Sequence, residues 1–121
     1  MPILVLLADD SPFVRKAIVG LLKTDPEIHV LSEASTFLQM TQAAKMLHPQ
    51  VIVLDVYMPH ENDATPPEIR ESLADSKVLA MSFLTNDETK AIAESYGAIA
   101  LLDKTKLAFE LILAIKRCIE T

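Results

Sequence analysis

Five short, nearly uniform runs of apolar residues recur along the chain, at residues 3–8, 28–33, 51–55, 77–82 and 98–102. Runs of this length with little alternation are typical of strands that are buried on both faces, as in a parallel sheet. The run at 28–33 is more polar than the others, which favours a position at an edge of the sheet. The pattern therefore predicts five strands.

The segments between these runs carry helix start and stop signals. Ser11 followed by Pro12 is a strong start, with serine as the N-cap and proline at the first helical position. Thr85 and Glu88 have the spacing of a capping box, and Gly97 ends that helix. Further helices are predicted after residues 35–36, over 66–74 and from Leu107 to the end. Alternating strands and helices predict an α/β fold, a doubly wound parallel sheet with helices on both faces.

Composition narrows the class of protein. With 121 residues, half of them apolar, the chain is expected to form one domain, 1–121, with a substantial core. A formal charge of −6 with no basic cluster argues against direct binding of nucleic acid. Cys118 is the single cysteine, which fits a reducing cytoplasm and a packing role. No segment reaches the ~20 apolar residues that a membrane span needs.

Polar side chains stand where four of the five strands end. Asp9 and Asp10 follow the first strand, Asp55 ends the third, Ser82 ends the fourth and Lys104 comes just after the fifth. Each has an ordinary alternative as a helix cap, a turn residue or a solvated charge. Because the carboxyl ends of parallel strands share one edge of a sheet, we expect all five to converge there.

The predicted cluster supports a specific chemistry. Three neighbouring carboxylates repel one another unless a cation intervenes, and Mg²⁺ prefers such oxygen ligands. With the acids screened, one carboxylate can attack phosphorus and form an aspartyl phosphate. An ammonium and a hydroxyl can then neutralise the oxygens of the transferred group.

These residues resemble the motifs of a known family. Their order and spacing resemble those of a receiver domain of a two-component response regulator, and the resemblance covers essentially the whole chain. The residues that carry it are Asp9-Asp10, the stretch 54–59 (Leu-Asp-Val-Tyr-Met-Pro), Ser82 and Lys104. It implies the strand order 2-1-3-4-5. It also implies roles for the site: Asp55 as phospho-acceptor, Ser82 as switch hydroxyl, Lys104 as phosphoryl partner, and Mg²⁺ (or Mn²⁺) bound by Asp10 and Asp55 directly, by Asp9 through water and by the backbone carbonyl of Tyr57.

The function implied by the resemblance is that of a signalling switch in a phosphorelay. A sensor histidine kinase or a phosphotransfer protein would donate the phosphoryl group, and the added charge would change partner binding or self-association, for example through a phosphorylation-dependent homodimer. An output domain could be fused or separate, and enzymatic activity is not expected beyond the domain's own phosphorylation and dephosphorylation. The alternative is a phosphorylation-independent protein-interaction module on the same fold. A haloacid-dehalogenase-type phosphatase is disfavoured, because Tyr57 stands where that class has a second aspartate.

Four positions depart from the usual receiver pattern. Leu101 replaces an aromatic residue, Thr105 replaces a proline after the lysine, and Asn62-Asp63 replaces Asp-Gly in the loop after the acceptor strand. The Lys104–Thr105 peptide is therefore expected to be either trans or strained, since a cis bond before a non-proline residue costs ~3–4 kcal/mol. Phe83 follows the serine where a small residue is usual, and we hypothesise that its bulk restricts access of water to Asp55. His60, in the loop after Asp55, is expected to be solvated.

Overall fold

The computed structural model describes residues 2–59 and 64–120 and contains strands and helices in strict alternation. The strands are β1 Ile3–Ala8, β2 Ile28–Ala34, β3 Val51–Asp55, β4 Lys77–Ser82 and β5 Ala100–Asp103. The helices are α1 Pro12–Leu22, α2 Phe37–Leu47, α3 Pro66–Ser72, α4 Asp87–Ser95 and α5 Leu107–Ile119, and a 3-10 turn, Lys104–Lys106, precedes α5.

The strands form one parallel sheet in the order β2-β1-β3-β4-β5. This confirms the predicted fold and the strand order that the resemblance implied. The more polar strand, β2, lies at an edge as expected. The parallel pairing brings the carboxyl ends of β1, β3, β4 and β5 to one edge, where the candidate site residues stand.

Two apolar clusters explain why the strand sequences are uniformly hydrophobic. On one face of the sheet, β3 contributes Val51 and Val53 to a cluster with α1 and α5. On the other face, Ile52 and Leu54 pack with α2, α3 and α4. Successive residues of a strand point to opposite faces, so helices on both faces require an apolar residue at every position. The parallel, doubly covered sheet follows directly from this pattern.

Several element boundaries differ from those predicted by one or two residues, and two of these differences have a local cause. The N-cap of α4 is Asn86, whose side chain accepts a hydrogen bond from the Thr89 N–H, and not Thr85. β5 begins at Ala100, two residues later than predicted, because the Gly97 and Ala98 N–H groups bind the last carbonyls of α4. Residues 98 and 99 are therefore part of the connection out of the helix.

Further predictions from the sequence concern the cap of α1, the single cysteine, the loop after β3 and membrane spans. Ser11 is the N-cap of α1 as predicted, and Cys118 is buried within α5. His60 and the pair Asn62-Asp63 lie outside the described residues. In the part of the chain that the structure describes, no helix is long and apolar enough to cross a membrane.

Gly97 provides a test of the connection between α4 and β5. Its φ is +86°, and an added Cβ would lie 3.2 Å from Cγ of Arg70. We expect Gly97→Ala to lower the free energy of unfolding by about 1–2 kcal/mol, measured by urea denaturation, because alanine disfavours positive φ. Gly20→Ala is the matched control. Gly20 lies in α1 with open space around it, so the substitution should be neutral or stabilise by about 0.5–1 kcal/mol. Equal effects at both positions would contradict this account.

Candidate functional site

Three carboxylates meet at the carboxyl edge of the sheet. Asp55 is the last residue of β3, and Asp9 and Asp10 directly follow β1. One oxygen from each of the three side chains lies within 4.8 Å of the others. Asp9 and Asp55 are buried, whereas Asp10 is exposed. The predicted convergence of the acids is therefore present, with one side open to solvent.

Lys104 joins the two buried carboxylates. Its Nζ lies 2.7 Å from Asp9 Oδ2 and 3.3 Å from Asp55 Oδ2. Among the described residues, Asp9 Oδ2 accepts no hydrogen bond of ordinary geometry, so this ion pair is the contact that compensates its burial. The ammonium enters the site from the 3-10 turn after β5, as the sequence predicted for Lys104.

Backbone N–H groups fix the orientation of both buried carboxylates. The Tyr57 N–H donates to Asp55 Oδ1 at 3.1 Å, and the Ser11 N–H donates to Asp9 Oδ1 at 2.8 Å. Arg15 Nη1 also donates to the backbone carbonyl of Asp9 at 2.6 Å. In each carboxylate one oxygen is thus held by the backbone and the other faces Lys104.

The electrostatic balance raises the pKa of Asp55 above its usual value. Burial is the main cause, and the neighbouring Asp9 and Asp10 carboxyl groups add to it. Lys104 and the Tyr57 N–H oppose the shift without reversing it. An additional positive charge in the cluster would therefore favour the ionised form of Asp55.

The donor set fits a hard divalent cation. All three acids offer oxygen ligands, the type that Mg²⁺ prefers, and the exposed Asp10 leaves room for water in the coordination shell. Asp9, Asp10 and Asp55 are the described residues that could hold such an ion.

Ser82 lies at the same edge as the acids. It is the last residue of β4 and is buried, and it stands one position beyond Met81, the register partner of Asp55. Its Oγ accepts a hydrogen bond from the Leu84 N–H at 3.0 Å. The serine hydroxyl therefore fixes the start of the loop that leads from β4 to α4.

The two departures near Lys104 have simple structural consequences. No described peptide bond is cis, so the Lys104–Thr105 bond is trans. The Thr105 N–H, which proline would lack, and its Oγ1 both donate to Asp103 Oδ1, at 2.9 and 2.7 Å. These bonds hold the pKa of Asp103 below its usual value. Leu101 packs against the apolar cluster beneath α2, α3 and α4.

Aromatic side chains flank the site. Tyr57 and Phe83 are both substantially exposed, and Lys104 Nζ lies 5.2 Å from the centroid of the Phe83 ring. This geometry is that of a cation–π contact. Phe83 also lines a shallow cavity of about 260 Å³ between α1 and α5, with Phe13 and Leu107.

One polar contact near the site was not predicted. The Tyr57 hydroxyl and Thr89 Oγ1 are 2.8 Å apart, and Thr89 is fully buried in α4. The two residues are 32 positions apart in the chain, and neither belongs to a motif that would pair them. No signal in the sequence could have identified this contact.

A five-stranded parallel sheet with an acid cluster and a lysine at its carboxyl edge defines the class of receiver domains. The chain belongs to the response regulator receiver domain family, whose model matches residues 5–116. The acidic triad of Asp9, Asp10 and Asp55 is typical of the Mg²⁺ site in this family.

The relatives of known sequence are longer than this chain, which matches a part of each. The chain is 36% identical over 115 residues to the transcriptional regulatory protein LiaR of Bacillus subtilis, covering 93% of the chain and 54% of LiaR. It is also 36% identical over 105 residues to a protein-glutamate methylesterase/protein-glutamine glutaminase of Hydrogenovibrio crunogenus, covering 85% of the chain and 28% of that protein. The chain thus spans about half or less of these relatives.

Solved structures share the fold at lower identity. The response regulator domain of Thermotoga maritima CheB has a TM-score of 0.85 at 24% identity, covering 100% of this chain and 98% of that one. The receiver domain of NarL from Mycobacterium tuberculosis has a TM-score of 0.86 at 23% identity, covering 98% and 97%. At these identities the likeness is one of fold.

The raised pKa of Asp55 predicts a stability effect with a defined sign. Its protonated form is favoured in the folded state, so the stabilising contribution is present at low pH and is lost as pH rises through the folded-state pKa. We expect Asp55→Asn to raise the free energy of unfolding at pH 7 by about 1–2 kcal/mol, the usual size for removing one unfavourable buried charge. The gain should shrink towards about pH 4, where the unfolded aspartate also becomes protonated.

Asp25→Asn serves as a control of opposite sign. A hydrogen bond from Lys116, 2.7 Å from Asp25 Oδ2, holds the pKa of Asp25 below its usual value. That contribution is present at neutral pH and is lost as pH falls through the folded-state pKa, so Asp25→Asn should destabilise at pH 7. Urea titrations of both variants across this pH range are the measurement. A loss of stability at pH 7 in Asp55→Asn would contradict the electrostatic interpretation.

Proposed function

We propose that the chain is a single, cytoplasmic receiver domain that accepts a phosphoryl group on Asp55 from a histidine kinase or a phosphotransfer protein. The observation that carries this proposal is the placement of Asp55 in the acid cluster, oriented by the Tyr57 N–H and 3.3 Å from Lys104. Membership of the receiver family supports a histidine kinase as the partner.

The reaction requires a nucleophile whose charge is balanced. An Asp55 oxygen attacks the phosphorus of a phosphohistidine, a P–O bond forms, and the P–N bond to the donor imidazole breaks. Asp9, Asp10 and Asp55 could hold Mg²⁺, which would neutralise charge on the acids and on the transferred oxygens. Lys104 adds a second positive charge beside the attacking carboxylate, and its short contacts with Asp9 and Asp55 place it before the donor arrives.

The proposed metal ligands are Asp9, Asp10, Asp55 and the backbone carbonyl of Tyr57. As the family resemblance implies, Asp10 and Asp55 would bind the ion directly and Asp9 would act mainly through water; the Asp9 carboxylate is the one closer to Lys104, at 2.7 Å against 3.3 Å for Asp55. Mn²⁺ also suits an all-oxygen site and can replace Mg²⁺.

Ser82 is the proposed switch hydroxyl. Its Oγ accepts from the Leu84 N–H, so a new partner for this hydroxyl at Asp55 would disturb the start of the β4–α4 loop. We infer that phosphorylation changes the surface formed by α4, β5 and α5, and that this surface controls partner binding or homodimer formation. An output domain would be fused or separate, and the relatives whose matched regions make up 54% and 28% of their length are compatible with a fused one.

Intact-mass spectrometry tests the assignment of the acceptor. Wild type incubated with a small phosphodonor, such as acetyl phosphate, and Mg²⁺ should gain the mass of one phosphoryl group. Asp55→Asn should gain none, because the amide is not a nucleophile for phosphorus. Asp75→Asn is the matched control: it changes an exposed aspartate just before β4, at the opposite edge of the sheet from the acid cluster, and should still be phosphorylated.

The outcomes of this experiment distinguish a switch that is phosphorylated on Asp55 from a phosphorylation-independent interaction module. A gain in both wild type and Asp55→Asn would show that another residue is the acceptor. No gain in either protein would favour the phosphorylation-independent interaction module.

Phe83 provides a test of how the site is shielded. The centroid of its ring lies 5.2 Å from Lys104 Nζ, which in turn lies 3.3 Å from Asp55, so we expect the ring to restrict the approach of water to the aspartyl phosphate. Phe83→Ala should shorten the lifetime of the phosphorylated state by about threefold, which corresponds to ~0.7 kcal/mol in the barrier to hydrolysis. The decay of the phosphorylated mass with time is the measurement.

Phe109→Ala is the control for this prediction. Phe109 is an exposed phenylalanine of α5 that does not line the cavity beside Phe83, so its removal should leave the lifetime unchanged. An unchanged or longer lifetime in Phe83→Ala would count against shielding.

A further inference from the structure

We propose that Tyr57 is a positioning residue that couples divalent-ion binding at the acid cluster to the N-terminal turn of α4, through the hydrogen bond between its hydroxyl and Thr89. The inference rests on the proposed metal site and adds to it a specific connection to a neighbouring helix. Tyr57 lies two residues after Asp55, in the turn that leaves β3.

The connection is a continuous and directional chain of hydrogen bonds. Thr89 Oγ1 donates to Asn86 Oδ1 at 2.7 Å, so its lone pair is free to accept the Tyr57 O–H at 2.8 Å. The same Asn86 oxygen accepts the Thr89 N–H at 2.9 Å. Because Asn86 is the N-cap of α4, the Tyr57 hydroxyl is linked through Thr89 to the residue that starts this helix.

At its other end, Tyr57 holds the acceptor carboxylate. Its N–H donates to Asp55 Oδ1 at 3.1 Å, and its carbonyl is a proposed metal ligand. Tyr57 is 46% exposed, so packing alone holds its side chain only in part. The bond to the fully buried Thr89 is the described polar contact that anchors the side chain, and through it the backbone that meets Asp55.

Leu101 stands where receiver domains usually have an aromatic residue, so the contact of Tyr57 with α4 matters more for this domain. Leucine carries no hydroxyl, and it packs against the apolar cluster beneath α4. Tyr57, in contrast, reaches α4 from the acceptor turn itself. If anchoring by Thr89 keeps the turn in the ion-binding arrangement, ion binding must by linkage stabilise the first turn of α4 to the same extent.

Mg²⁺ titrations of the full chain, followed by two-dimensional NMR in the absence of a phosphodonor, test the coupling. Tyr57→Phe and Thr89→Val each remove one partner of the hydroxyl bond. Each should raise the Kd for Mg²⁺ by about threefold to tenfold, the range for one lost hydrogen bond. The double variant should bind no more weakly than the weaker single variant, because both remove the same interaction.

Amide hydrogen exchange in α4 gives a readout that does not depend on affinity. In wild type, saturating Mg²⁺ should slow exchange of the Thr89 and Lys90 amides, whose N–H groups bind Asn86. In Tyr57→Phe this effect of Mg²⁺ should disappear. Because Tyr57 is about half exposed, Tyr57→Phe should keep the core intact. This variant therefore still tests the coupling if Thr89→Val does not fold.

Tyr96→Phe is the matched control. It removes the hydroxyl of the second of the two tyrosines in the chain, at the C-terminal end of α4. It should leave both the Mg²⁺ affinity and the exchange response unchanged. The inference would be overturned by a Kd for Tyr57→Phe within twofold of wild type, or by additive effects in the double variant. It would also be overturned by equal weakening in Tyr96→Phe, or if wild type did not bind Mg²⁺. Phosphorylation of Asp55 is measured separately by mass, so it can hold while this coupling fails.

Discussion

The contacts of Lys104 with Asp9 and Asp55 are the interaction on which the rest of the site depends. Two buried carboxylates at the same sheet edge would repel each other strongly if no cation were near. The ammonium lies within 3.3 Å of both, yet burial still raises the pKa of Asp55. The cluster is thus stabilised only in part, and the remaining negative charge is what makes it suited to a divalent ion.

The fold itself could be predicted because one physical pattern recurs in every strand. A residue such as Val53 faces α1 and α5 while its neighbour Leu54 faces α2, α3 and α4, so covering both faces requires an uninterrupted apolar run. Where such a run stops at a charged residue, the strand has reached the edge of the sheet. That is why Asp55 and Lys104, distant in sequence, could be assigned to one site without knowledge of their contacts.

The contacts that tune the site could not be predicted, since they depend on distances between elements. Asn86 rather than Thr85 caps α4, and both residue types are acceptable N-caps, so propensity alone does not choose between them. The choice matters because it places Thr89 Oγ1 against the Tyr57 hydroxyl. A sequence pattern describes one helix or strand at a time, whereas this contact joins the turn after β3 to the start of α4.

The unusual residues around the site are accommodated by local hydrogen bonds and packing. Thr105 replaces the usual proline, and its N–H and hydroxyl both bind Asp103, so the turn that carries Lys104 is fixed by side-chain capping in place of a rigid ring. Leu101 fills the apolar cluster where an aromatic ring would be expected to move. The acid cluster and Lys104 remain in contact at the carboxyl edge of the sheet. In this chain the exposed Tyr57 and the buried Thr89 form the polar connection between the acceptor turn and α4, and a change at Asp55 reaches that helix through a hydroxyl pair.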